Sequence, residues 1–238
     1  QLQPGYVAAY LRRGVARYYQ TQYDRAIEDF NRAGDLLAGQ NGQIDDEQML
    51  LYKYRGLAYM RQGHHRQAAA DFDRAALLVG QHGAGALDPQ AGEIFTQRGL
   101  LRLAEDVSGA QADFDQALQL NPNDHQALFQ RGLIYLNQDN LPQAITDFDR
   151  VIALTPEAPE AFYYRGLAYA QQDDPGQALE NFNQALLLHP QQVEVVYQKG
   201  VAFLALARPV EAIESFNLTL RLDPNHAAAY VQRGKAFF

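Results

Sequence analysis

The chain reads as an all-α array of helical hairpins, and three recurring observations carry that reading. The first is a glycine preceded by a basic residue, at Gly14, Gly56, Gly99, Gly132, Gly166, Gly200 and Gly234, with successive spacings of 42, 43, 33, 34, 34 and 34 residues. The second is an alanine about twelve residues later, with a phenylalanine four residues beyond it: Ala26 and Phe30 in the first instance, Ala212 and Phe216 in the last. The third is a set of breakers between these landmarks, such as "RQGHH", "NQDNLP" and "QQDDPG", which mark turns.

Each element follows from these landmarks in order. Four residues before each glycine stands Tyr10, Tyr52, Phe95, Leu128, Phe162, Val196 or Tyr230. Three residues after it stands Arg17, Tyr59, Arg102, Tyr135, Tyr169, Phe203 or Phe237. Spacings of three and four share one helical face, so this segment is the first helix of a hairpin, helix A. The Ala and Phe pair, at i and i+4, marks one face of a second helix, helix B. A small residue on each helix lets two backbones approach, while the aromatic fills the space beside the contact. Pro122, Pro156, Pro190 and Pro224 close the later units. The spacings give six full repeats at about 7–38, 49–80, 92–124, 125–158, 159–192 and 193–226, with partial units at 1–6 and 227–238.

The two long spacings place insertions at about 39–48 and 81–91, between one helix B and the next helix A. Leu36–Leu37 and Leu77–Leu78 extend the preceding helix by about a turn until glycine breaks it. Asp45 and Asp88 are candidate N-caps for the helices that follow, with Pro89 at a first helical position. "QLQP" at Gln1–Pro4 matches the tail of a unit, "QLNP" at Gln119–Pro122. A fragment of a longer array is therefore the expectation.

Composition narrows the function. With 47% hydrophobic residues, 238 residues supply a substantial core. A net charge of −8 opposes the phosphate backbone and argues against nucleic-acid binding. The chain has no cysteine, which removes disulfides, thiolate metal sites and cysteine nucleophiles. It has no run of about 18 apolar residues, so direct membrane insertion by this region is not expected. The compartment stays open. His64, His65, His82, His125, His189 and His226 fall in turns, an insertion and unit boundaries without metal-ligand spacing. With no phosphate loop or nucleophile elbow either, no cofactor, metal or catalytic residue is expected, and surface histidines are.

A period near 34 with Gly, Tyr, Ala, Phe and Pro in that order resembles the tetratricopeptide repeat, TPR, over nearly the whole chain. The resemblance implies a right-handed α-solenoid of tandem hairpins, and the pattern "YxxRGLAY…AxxDFxxAxxLxP" is similar to bacterial members of the family. Two departures stand out. The early aromatic of helix A is never Trp, and a basic residue replaces the usual Leu before the glycine. Fifteen or sixteen residues after that basic residue, helix B carries Asp29, Asp71, Asp113, Asp147 or Asn181. A structural Arg–Asp pair between packed helices is the expectation. Where the basic residue becomes Lys199, the acid becomes Ser215.

A second stripe of helix A lies three residues before, one after and four after each glycine, and the resemblance implies that it lines a concave groove. The candidate partner-binding residues on it are Leu11, Tyr18, Met60, Leu103, Phe129, Leu136, Tyr163, Tyr197 and Leu204. An apolar, aromatic lining suits a peptide or partner helix, because buried apolar area supplies affinity. The competing reading is packing against adjacent helices. Glu93, Glu160 and Glu194 either flank this stripe with acid or favour the positive ends of their helices. Related domains that clamp a chaperone's C-terminal carboxylate use Asn just after the glycine. Here that position holds Val15, Leu57, Leu100, Leu133, Leu167, Val201 or Lys235, so the clamp is not expected. The function implied is a protein-interaction scaffold. Self-assembly, including through the cut ends, and recruitment of substrate to a larger enzyme are the alternatives.

Overall fold

Short turns with one residue in the left-handed region set the hairpins. Seven residues after the helix A glycine, Thr21, Gly63, Asp139, Asp173 and Ala207 have φ of 59°, 75°, 59°, 61° and 54°. The amide of the next residue reaches back five residues to a carbonyl of helix A: Gln22 to Arg17 at 2.9 Å, Asn140 to Tyr135 at 2.8 Å and Arg208 to Phe203 at 2.8 Å. This is the Schellman closure, in which a left-handed residue lets the chain leave the helix while its last carbonyls stay bonded. Before Phe114 the turn is one residue shorter. Asp106 bonds Arg102 four residues back and its side chain caps the Gly109 amide. That is why Ala110 arrives one position early.

In the computed structural model, residues 6–38, 45–81 and 89–237 are described, and among them are thirteen helices and no strand. They fall into two compact units, Gln1–Asp124 and His125–Phe238. In the first, α1 (Val7–Tyr19) pairs with α2 (Tyr23–Ala38), α3 (Asp45–Arg61) with α4 (His65–Gln81), and α5 (Pro89–Arg102) with α6 (Val107–Leu120). In the second, α7 (His125–Asn137) pairs with α8 (Leu141–Leu154), α9 (Pro159–Gln171) with α10 (Pro175–Leu188), and α11 (Val193–Ala205) with α12 (Pro209–Leu222). Then α13 (Ala227–Lys235) packs on α12.

The proposed end segment Gln1–Pro4, the bulk of both insertions, His82, Asp88 and Phe238 lie outside the described residues. Two local expectations change. Asp45 is the first residue of α3, not the residue before it, and α4 runs through Gly80 to Gln81 instead of stopping at that glycine.

Glycine and phenylalanine together fix the distance between the helices of a hairpin. A Cβ built on Gly14, Gly56 or Gly99 would lie 2.6, 2.9 and 2.7 Å from the ring of Phe30, Phe72 and Phe114. On Gly132, Gly166 and Gly200 it would lie 2.8, 2.7 and 2.6 Å from Phe148, Phe182 and Phe216. Carbons normally rest about 3.5–4.0 Å apart, so each ring occupies the volume a side chain would need. All six rings are fully buried, and burying each contributes roughly 1.5–3 kcal/mol.

The basic residue before the glycine spans the same hairpin. Arg13 bonds Asp29, Arg55 bonds Asp71 at 2.8 Å, Arg98 bonds Asp113 and Arg131 bonds Asp147 at 2.7 Å. Arg165 donates from Nε to Asn181 Oδ1 at 2.7 Å. The carboxylates are buried and the guanidiniums partly so, which makes these pairs part of the packing.

Candidate functional site: the helix A face of the second unit

In the second unit, α9 and α11 carry Tyr163 and Tyr197, three residues before their glycines and two before Arg165 and Lys199, which lie on the opposite side of each helix. Their rings lean on the buried phenylalanines, Tyr163 at 6.2 Å from Phe182 and Tyr197 at 5.9 Å from Phe216. Tyr164 stands at 5.0 Å from Tyr163 and stacks on Phe148 at 6.1 Å, with Phe129 edge-on to it at 5.7 Å. These five aromatic contacts hold the rings in place through two rotatable bonds each, which is how an aromatic anchor is presented at low entropic cost.

A polar group sits beside the two tyrosines. Glu194 accepts a bond from Gln198 Nε2 at 2.9 Å, and His226 Nε2 lies 3.5 Å from Glu194 Oε2. The His226 ring is 4.7 Å from that of Tyr197, and its Nδ1 accepts the Ala229 amide at 3.2 Å, which caps α13. Burial pushes the Tyr163 phenol up to about 12, helped by the negative charge of Glu194 and by Tyr164. The phenol therefore stays protonated at neutral pH and can donate a hydrogen bond to an incoming carbonyl.

The predicted stripe divides by burial. Tyr18, Met60, Leu103, Phe129, Tyr163, Tyr197 and Leu204 are half-buried and keep some accessible surface. Leu11, at 1% exposure, and Leu136, at 8%, are core residues and offer a partner almost nothing. Both were candidates because a helical stripe looks the same whether a neighbouring helix or solvent faces it. In the first unit, Lys53 and Thr96 of this stripe are buried as well. Lys53 bonds Glu93 at 2.8 Å and Thr96 donates to Asp124 Oδ2 at 2.7 Å. Glu93 is thus a bridge between α3 and α5, whereas Glu160 and Glu194 do lie in first turns. Tyr18 meets Tyr19, Tyr23 and Tyr54 at 5.4–5.8 Å, a tyrosine cluster closed by a 3.1 Å bond between the Tyr19 and Tyr54 hydroxyls.

Sequence reasoning missed His226 and Tyr164. His64, His65, His125 and His189 are exposed as expected, but the turn before α13 lays His226 on Tyr197. The signal available was its N-cap position, which fixes where the imidazole points.

Models described as tetratricopeptide repeats match residues 132–196, 100–159 and 8–36. The chain belongs to the tetratricopeptide repeat family. Among solved structures, this TPR chain resembles YrrB, described as a TPR protein with an unusual peptide-binding site. The identity is 23%, the TM-score 0.63, and the match covers 80% of this chain and 90% of YrrB. It also resembles residues 41 to the end of MamA from Desulfovibrio magneticus RS-1, at 23% identity and TM-score 0.64, covering 76% and 97%. The APC/C hetero-tetramer Cut9–Hcn1 matches at 17% identity and TM-score 0.62, covering 99% of this chain and 43% of that one. No curated protein sequence matches. At these identities the likeness establishes the fold, an all-α solenoid of helical hairpins. No helix among the described residues is long and apolar enough to cross a membrane.

Proposed function

We propose that the chain is a non-catalytic interaction scaffold that holds a peptide or helix of a partner protein against the helix A face of its second unit. The observation that carries this reading is the pair Tyr163 and Tyr197, each half-buried, fixed by a core phenylalanine and bordered by Glu194 and His226. Rigid aromatics with an apolar base and a polar edge are the usual anchors of a protein interface. Phe182 and Phe216 fill the hairpin cores, and the two tyrosines pack against them while keeping accessible surface. Likeness in fold to YrrB, a protein described as having a peptide-binding site, fits the same reading.

The test is to pan a random-peptide library on the chain and measure the selected peptide against wild type and Tyr163→Ala/Tyr197→Ala. Loss of an aromatic anchor of this kind costs about 2 kcal/mol or more, so affinity should fall about thirtyfold while far-UV dichroism is unchanged. Equal affinity for both proteins contradicts the assignment.

A further inference from the structure

In five hairpins the basic residue before the glycine is met by a carboxylate or amide from helix B, and the sixth breaks the rule. There the pair is Lys199 and Ser215. Ser215 is too short to serve, and its hydroxyl donates instead to the Glu211 carbonyl at 2.9 Å. Among the described residues Lys199 has no hydrogen bond and no ion pair. Its ammonium lies 5.8 Å above the Phe203 ring. Burial with no acid to offset it lowers the Lys199 pKa, in keeping with a cation left without its partner.

Lys199 opens on a cavity of about 810 Å³ between α11, α12 and α13, lined also by Phe203, Leu218, Arg221 and Arg233. Arg233 donates to Asn217 Oδ1 at 2.7 Å. Two acids line the cavity. Glu211 is held by Arg208 at 2.6 Å, and Glu214 lines the cavity alongside Lys199 and Arg221. In the third hairpin Arg98, the counterpart of Lys199, is bound to both Asp73 and Asp113.

We propose that the α11–α12–α13 cavity receives the carboxylate of an acidic side chain from a partner polypeptide, which takes on Lys199 the place that Asp29, Asp71, Asp113 and Asp147 take in their own hairpins. A carboxylate fits because a charge-assisted bond to an ammonium is what the other hairpins build here. A polypeptide fits because the cavity has room for a side chain with its flanking backbone, and Phe203 and Leu218 offer it an apolar wall. Glu214 disfavours a doubly charged phosphate more than a singly charged carboxylate. The site is separate from the tyrosine groove. Lys199 and Tyr197 are two positions apart and so lie on opposite sides of α11.

The test is an array of capped twelve-residue peptides, each with one Glu and paired with its Gln counterpart, probed with wild type, Lys199→Met and Ser215→Asp. Wild type should retain the best Glu peptides about tenfold better than their Gln partners, the discrimination expected of a hydrogen bond to a charged group. Lys199→Met removes the cation and Ser215→Asp satisfies it from within, so both should bring the ratio to within about twofold. Dichroism and melting confirm that each variant is folded. Inorganic phosphate at the peptide's own concentration should not compete. No Glu preference in wild type, a preference that survives in either folded variant, no peptide retained, or equal competition by phosphate would each overturn the proposal. Retention that depends on Tyr163 and Tyr197 but not on Lys199 overturns it while leaving the groove reading intact.

Discussion

Replacing Gly166 by alanine should destabilise the second unit, although alanine is the better helix former. The added Cβ would lie 2.7 Å from Phe182 Cε1, 2.9 Å from Cδ1 and 3.2 Å from Asn181 Cβ. Relief needs a shift of nearly 1 Å, set against a normal carbon contact of about 3.5–4.0 Å. Phe182 has little freedom to give it, being 1% exposed and packed among Ala178, Ala185, Val195 and Ala202. Overpacking of this kind costs about 1–3 kcal/mol, and the upper half applies to a ring with no free side. The helix propensity gained on losing glycine returns about 1 kcal/mol. The net expectation is a loss of about 1–2 kcal/mol, or a fall of roughly 2–8 °C in melting temperature. Gly34 is the control. It lies in the middle of α2, and a Cβ there meets only Leu51 at 3.5 Å, an ordinary contact. Gly34→Ala should therefore gain up to about 1 kcal/mol. Urea unfolding followed by dichroism measures both. A neutral or stabilised Gly166→Ala would refute the claim that ring and glycine set the hairpin spacing.

Four further outcomes follow from the same geometry. Arg131→Met leaves the buried Asp147 carboxylate unpaired and should cost about 3 kcal/mol by urea midpoint, while the double variant with Asp147→Leu should recover most of it. Lys199→Met has no such partner to strand, so its urea midpoint should stay level or rise. Ala207→Gly relieves a non-glycine residue at φ 54° and should raise the midpoint by about 1 kcal/mol equivalent. Tyr163 supplies a pH test. Its folded pKa, near 12, exceeds the ordinary 10.0, so the proton held by the fold is lost first from the unfolded chain. That part of the stability is whole below pH 10.0 and lost as pH rises toward 12. Urea midpoints against pH should fall less steeply over that window for Tyr163→Phe than for wild type.

The hairpins were legible because their cause is local and repeated. Gly14 with Phe30, or Gly200 with Phe216, states a distance between two helices that sequence spacing alone conveys. The Arg–Asp pairs were legible for the same reason, since residues fifteen or sixteen apart return to one another across a short turn. The candidate groove was only partly legible. Tyr163 and Leu136 share a stripe, yet Tyr163 keeps accessible surface and Leu136 does not. That difference depends on what the next hairpin lays over each, and a helical period carries no such information. Lys53 shows the limit most clearly, because a lysine reads as solvent-facing until Glu93 of another hairpin is placed 2.8 Å away. His226 was hidden by the converse problem: a turn residue is placed by backbone geometry, and the spacing of the helices does not report it.

The most direct test of the account is a ¹³C-tyrosine NMR titration of the chain with a library-selected peptide. The ring signals of Tyr163 and Tyr197 should shift, while Tyr135 and Tyr169, which stand three residues after their glycines and off the stripe that carries Tyr163 and Tyr197, stay in place. Shifts at Tyr135 and Tyr169 with Tyr163 and Tyr197 unmoved would contradict it.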